Sequence, residues 1–188
     1  MTRAPIDSIF GLFDRFGQDQ YGEDISQLQH ALQCAELARI DGCDAPMIAA
    51  ALLHDVGQLV NEAGLAAERE GRDAHHEVTG YNILSRVFGD RVAIPVRLHV
   101  DAKRYLCGVD PDYFGTLSAA SVLSLKLQGG AMGSAEAKRF KAHPYFADAI
   151  RLRRFDDDGK RVDWAVPDLE SYRDLLIGLL LPEPLAGG

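Results

Sequence analysis

Apolar residues recur along this chain at helical rather than strand spacing. From Pro5 to Phe16 they fall at Ile6, Ile9, Phe10, Leu12, Phe13 and Phe16, a spacing that predicts an amphipathic helix. Gly17 to Asp24 reads as a polar, glycine-punctuated loop. Ser26 is a fair N-cap for the next helix, whose apolar face is Leu28, Ala31, Leu32, Ala35, Leu37 and Ala38 and which Asp41-Gly42 ends. His30 sits among those apolar positions. Pro46 stands where a first-turn proline would, opening a third helix through Ala49-Ala50-Ala51-Leu52-Leu53 into His54-Asp55-Val56-Gly57.

The same pattern continues through the second half. After a loop over 61–72, Asp73 caps a helix to about Phe88 with His75 and His76 in its first turn. Pro95 opens or kinks the next helix, which holds His99, Lys103 and Tyr105; His99 and Lys103 are four apart and share a face. A loop over 110–116 leads to Ser118, the cap of a short helix ending at Gly129-Gly130. Residues 134–142 are a weak amphipathic piece, and Pro144 starts a helix through Ile150 and Leu152 to Phe155-Asp156. Asp168 caps a last helix to about Leu181, and residues 182–188 form a fraying tail. Residues 158–166 hold a short irregular or extended stretch, and no β-hairpin signal interrupts the helices. The expected fold is all-α, one domain over 1–188.

Composition narrows the function. A chain of 188 residues can bury a sizeable core, and 47% hydrophobic with 26% charged residues is the balance of a soluble globular domain. The formal net charge of −8, with both signs interspersed, argues against nucleic acid as a partner. The three cysteines, Cys34, Cys43 and Cys107, have no CxxC spacing and read as reduced, buried thiols of a cytoplasmic protein. No apolar stretch is long enough to cross a membrane.

The chemistry concentrates in the histidines. Of six, four fall on separate predicted helices: His30, His54, His76 or its neighbour His75, and His99. A buried helix rarely carries an imidazole and a carboxylate side by side, as at His54-Asp55, unless something compensates the charge. Helix bundles build metal sites from such side chains pointed inward. Imidazole with carboxylate suits iron, manganese or zinc, and Asp55 can bridge two ions through its two oxygens. A terminal carboxylate comes from the C-terminal half, where Asp156, Asp157 and Asp158 compete.

His30, His54-Asp55 and a late Asp, in that order along an all-α chain, resemble the HD-domain superfamily. Tyr21-Gly22-Glu23, Gln27-Leu28-Gln29-His30-Ala31-Leu32-Gln33, Pro95-Val96-Arg97-Leu98-His99, Lys103-Arg104-Tyr105-Leu106, Leu117-Ser118 with Ala120-Ser121, and Leu127-Gln128-Gly129-Gly130-Ala131-Met132 narrow the likeness. Together they resemble the HD-domain mixed-valent diiron oxygenases of phosphonate catabolism, over roughly 20–160.

That resemblance implies an HD-domain helical bundle with an internal dinuclear site, mixed-valent Fe(II)/Fe(III), using O2 as co-substrate. It implies one iron on His30, His54, Asp55 and Asp156, and the other on Asp55, His76 and His99. Asp156 is preferred because Phe155-Asp156 with Lys160 is similar to the family's aromatic-Asp-Asp-x-x-Lys segment, and His76 because its distance from His54 matches the family's. Lys103 and Ser121 match positions that grip the phosphonate. Tyr21 and Glu23 resemble a lid pair, the Tyr covering the open iron position and the Glu recognising the substrate's amino end. Two departures stand out: the family usually has one more residue between this Tyr and Glu, and Gln58 replaces the last His of its His-Asp-(Ile/Val)-Gly-His motif. Gln58 is expected in the substrate shell.

The implied reaction is oxidative C–P cleavage of a small-molecule organophosphonate. The expected substrate is a 1-hydroxy-2-aminoethylphosphonate or its trimethylammonio analogue, giving phosphate and glycine or glycine betaine. The amino compound is the expected parent substrate; a trimethylated one would need aromatic faces, for which Tyr21, Tyr105, Tyr113 and Phe155 are the candidates. The rival enzyme is an HD-domain metal-dependent phosphohydrolase, which needs divalent ions and no oxygen.

Overall fold

The computed structural model describes residues 3–19, 24–60 and 73–182; Tyr21, Glu23 and residues 183–188 of the tail lie outside it. The N-terminal helix α1, Ala4–Phe16, starts on Pro5 and buries Ile6, Ile9, Phe10 and Phe13. Helix α2, Gln27–Ile40, is capped by Ser26, whose hydroxyl accepts the Gln29 N–H at 3.2 Å. Asp44 caps α3, Ala45–Leu53, by accepting the Met47 N–H. Every residue of α3 from Met47 to Leu53 is buried, so this helix is apolar all round and runs through the interior.

The expected single helix through His54-Asp55 is broken there. A turn at His54-Asp55 ends α3, and α4, Val56–Val60, sets off afterwards. At the break the Ala51 carbonyl lies 2.9 Å from His54 Nδ1. A Cβ on Gly57 would stand 2.0 Å from the His76 carbonyl oxygen and 2.8 Å from the Gly80 nitrogen, so only glycine lets α4 cross its neighbour this closely.

That neighbour is α5, His76–Phe88, which begins later than expected. His75 precedes it in a left-handed conformation (φ 48°), and the Asp73 carboxylate accepts the His75 N–H rather than capping the helix. Gly89, at φ 77°, leads straight into α6, Asp90–Val109. Pro95 therefore lies inside α6 instead of opening it. A 3-10 turn, Tyr113–Thr116, occupies the expected loop before α7, Ala119–Leu127, which Ser118 caps as read from the sequence. Helices α8, Ser134–Lys141, and α9, Phe146–Asp158, follow, the latter starting two residues beyond Pro144. Asp168 does cap, but it caps a 3-10 turn, Leu169–Tyr172, and the closing helix α10, Arg173–Gly178, stops short of Leu181.

The described residues contain helices and no strand, so the all-α expectation holds. Helix α2 packs on α3 and α9, while α6 packs on α5, α9 and α3. The buried apolar residues form two clusters. The larger joins α1, α2, α3, α4, α5, the start of α6, the end of α9 and α10; the smaller joins Ala102, Tyr105, Leu106, Tyr113, Met132, Ala137, Phe140 and Ala149. Where α6 passes from one to the other it carries buried His99, and buried Lys103 follows one turn on. Of the cysteines only Cys34 is buried; Cys43 and Cys107 are partly exposed. No described helix is long and apolar enough to cross a membrane.

Candidate metal centre

Four imidazoles and two carboxylates converge where α2, the α3–α4 break, α5, α6 and α9 meet. His30, His54, His76, His99, Asp55 and Asp156 are all buried. Asp55 divides its two oxygens between two groups. Its Oδ2 lies 3.4 Å from His54 Nε2 and 3.9 Å from His30 Nε2, and Asp156 Oδ1 is 3.4 Å from the same His30 nitrogen. Its Oδ1 lies 3.3 Å from His76 Nε2 and 3.7 Å from His99 Nε2. The sequence left His75 and His76 open at first reading. The left-handed turn at His75 sends that side chain outward, 67% exposed, and His76 inward, 6% exposed.

The rings are oriented by the helices that carry them. His30 Nδ1 is 2.8 Å from the Gly159 carbonyl, His54 Nδ1 2.9 Å from Ala51 O, and His99 Nδ1 2.7 Å from Val96 O. A carbonyl only accepts, so each Nδ1 carries the proton and each Nε2 turns its lone pair inward. The inward nitrogens then meet face to face: His30 and His54 at 3.2 Å, and His99 with the Nε2 of His76 at 3.1 Å. The lone pairs of His30 and His54, so close, repel unless a cation lies between them. Asp55 Oδ2, buried and without a hydrogen-bond partner, is an orphan of the same kind. This donor set fits two metal ions sharing Asp55.

Without ions, protons take their place. Burial opposes charging His54, yet the Asp55 carboxylate raises its pKa to about 9. Burial, with His76 adding to it, pushes His99 down to about 3. Burial also works against the Asp55 and Asp156 carboxylates. His54 beside the first and the Arg153 guanidinium beside the second nevertheless hold both well below the usual range.

A cavity opens from Asp55, His76 and His99 and is lined by Gln58, Lys103, Ser121, Ser124, Gln128, Arg153 and Lys160. The structure therefore brings Lys103, Ser121 and Gln58 together with the imidazoles. Lys103 is 3% exposed, which removes the alternative of a surface lysine. Its ammonium donates to Ser124 at 2.7 Å, and Lys160 donates to Ser121 at 3.3 Å. Gln58 accepts from Gln27 at 3.2 Å. The expected aromatics are elsewhere: Tyr105 packs on Phe140 and Phe146, the Tyr113 hydroxyl donates to Asp157, and Phe155 belongs to the larger core. Among the described residues no Phe, Tyr or Trp lines the cavity.

Sequence reading missed several neighbours. Arg153 is fully enclosed and pairs with Asp156 Oδ2 at 2.6 Å and with Asp157, so Asp157 serves the arginine and Asp156 faces the imidazoles. An Arg three residues before the Asp on one helix was a readable signal. Ser124 and Cys34, whose sulfur lies 3.7 Å from His30 Nε2, carried none.

A helical bundle that turns a His-Asp pair inward at a helix break, facing imidazoles from neighbouring helices, is an HD-type metal protein. The HD domain family matches residues 28–125. The chain is 44% identical over 168 residues to a hydroxymethylphosphonate dioxygenase of Gimesia maris, covering 89% of this chain and 84% of that protein. It is 41% identical over 172 residues to a glycine-betaine-forming [1-hydroxy-2-(trimethylamino)ethyl]phosphonate dioxygenase of Leisingera caerulea, covering 91% and 88%. An uncharacterized protein of Acanthamoeba polyphaga mimivirus is 33% identical over 178 residues, 93% of this chain and 81% of that one. The chain belongs to the HD-domain phosphonate dioxygenases.

Proposed function

We propose that this dioxygenase cleaves the C–P bond of a 1-hydroxyphosphonate at a diiron centre. His30, His54, Asp55 and Asp156 would hold one iron, and Asp55, His76 and His99 the other. The observation that carries the reading is Asp55, whose two oxygens face two separate imidazole pairs beside a cavity lined by cations. The irons, mixed-valent Fe(II)/Fe(III) as in the family resembled, supply activation of O2 when bound.

The chain's own residues bind and orient the substrate. A phosphonate dianion needs compensation, which Lys103 and Lys160 on the cavity wall would give, together with the Ser124 and Ser121 hydroxyls they donate to. The balance needs no external reductant. The C1–H and C–P bonds break; carbon gains one oxygen to become a carboxylate, phosphorus gains the other to become phosphate, and O2 takes up the four electrons. The substrate is a 1-hydroxy-2-aminoethylphosphonate or its N-methylated analogue, the relatives' names bracketing the range from hydroxymethyl to trimethylaminoethyl. At the nitrogen end Gln58 contributes an amide, with Tyr21 and Glu23 beyond the described residues.

The test is metal analysis of aerobically purified protein with a phosphate-release assay, with and without oxygen. Two irons per chain and oxygen-dependent release of phosphate from a 1-hydroxyphosphonate are expected. Oxygen-independent hydrolysis of a phosphate ester would make the protein an HD phosphohydrolase instead.

A further inference from the structure

Gln33 lies in α2, one turn beyond His30, is fully buried and lines no part of the cavity. Its amide uses both ends on one residue far along the chain: Oε1 accepts the Arg161 N–H at 2.8 Å, and Nε2 donates to the Arg161 carbonyl at 2.6 Å. A buried primary amide is costly unless its groups are matched, and here it imitates a neighbouring backbone strand. Around it the same helix holds the same segment. Gly159 accepts from His30 Nδ1, the Cys34 thiol donates to Phe155 O at 3.4 Å, and Gln29 reaches Val162 O at 3.4 Å. A Cβ on Gly159 would stand 2.6 Å from Cys34 Sγ, so the segment lies directly on α2. The Arg161 side chain turns away and stacks on Trp164, leaving only its main chain to Gln33. The residue before Arg161 is Lys160, whose ammonium reaches Ser121 inside the cavity and lies 3.9 Å from Asp156.

We infer that Gln33 is a positioning residue: by clamping both main-chain groups of Arg161 it sets Lys160 at the anion-binding wall of the cavity. The inference rests on the phosphonate reading only in naming the anion. The Gln33 amide hydrogen-bonds to Arg161 and to none of the imidazoles or carboxylates of the centre, and it lines no part of the cavity; its effect passes through one backbone to one ammonium.

A double-mutant cycle on the metal-loaded enzyme, with inorganic phosphate as the probe and calorimetry as the readout, tests it. Gln33→Met keeps the length and removes the amide; Lys160→Ala removes the ammonium. Each single variant is expected to bind phosphate roughly tenfold or more weakly, the loss of one charge-assisted contact. The double variant is expected to bind no more weakly than Lys160→Ala alone, because both changes remove the same contact. Metal content is expected to stay at the wild-type ratio in all three. Losses that multiply, unchanged affinity in Gln33→Met, or metal lost from Gln33→Met would each overturn the assignment. If Gln33→Met does not fold, Gln33→Asn, which withdraws the amide by one methylene, carries the same expectations. Absence of oxygen-dependent phosphate release in wild-type enzyme would defeat the proposed reaction without touching this cycle, which reads only binding.

Discussion

Lys103 shows how much a single side chain contributes at this site. It is buried on the face of His99, lines the cavity, and donates to the Ser124 hydroxyl. Lys103→Ala is expected to weaken phosphonate binding by roughly 1.5–3 kcal/mol, seen as a raised KM, with metal content unchanged. His54 makes a prediction of a different kind. With its pKa raised to about 9 in the metal-free fold, the proton it carries stabilises that fold fully below its unfolded value of about 6.5. The contribution then drains away as pH rises through about 9. Metal-free protein should lose stability across that window, while metal-loaded protein, whose His54 has exchanged its proton for an ion, should not. Calorimetry in buffers of different ionisation enthalpy should show proton release on metal binding near pH 7.5. Metal uptake without proton release would contradict the assignment of His54 as a ligand.

At the scale of elements, α4 and α5 touch through Gly57, and the contact leaves no room for a methyl group. Gly57→Ala should destabilise the fold by about 3 kcal/mol, since overpacking here meets backbone rather than a side chain that can swing away; a denaturant midpoint measures it. His76→Ala should remove one ion per chain, whereas His75→Ala, at an exposed position, should leave metal and turnover intact. Several helices were legible because their starts are local chemistry: Ser26 and Ser118 each accept the N–H three residues on, and Pro46 sits in the first turn of α3. What escaped is where tertiary contact overrode local preference. The break at His54-Asp55 sits in a run of good helix formers, and a left-handed His75 has no sequence signal. Pro95 lies inside α6, one of the two placements the sequence had left open. The buried imidazoles and carboxylates that converge here were named from their types, their order along helices and, for Asp156, family likeness. Arg153 had a local signal in the carboxylates three and four residues on along α9, whereas the partner of Gln33, Arg161, is fixed only when the residues after α9 fold onto α2.

The whole molecule should feel its metals. An ion bound only by the folded state, at a hundredfold excess over its Kd, adds about 2.7 kcal/mol, so chelation should lower Tm by roughly 5–10 °C. The division of the apolar interior also bears on how the chain comes apart. Helices α6 and α9 run through both clusters, and the stretch of α6 from Val96 of the larger cluster to Ala102 of the smaller carries His99. With ions in place that polar stretch is a bonded joint, and both clusters should unfold in one cooperative transition. Stripped of ions it offers crowded lone pairs instead, and the smaller cluster around Tyr113 and Phe140 is then joined to α2 and α3 through α6 and α9 alone among the helices that carry it. Hydrogen exchange on metal-free protein should then find amides of α8 opening well before those of α3, while in the loaded protein the two would exchange as a single unit.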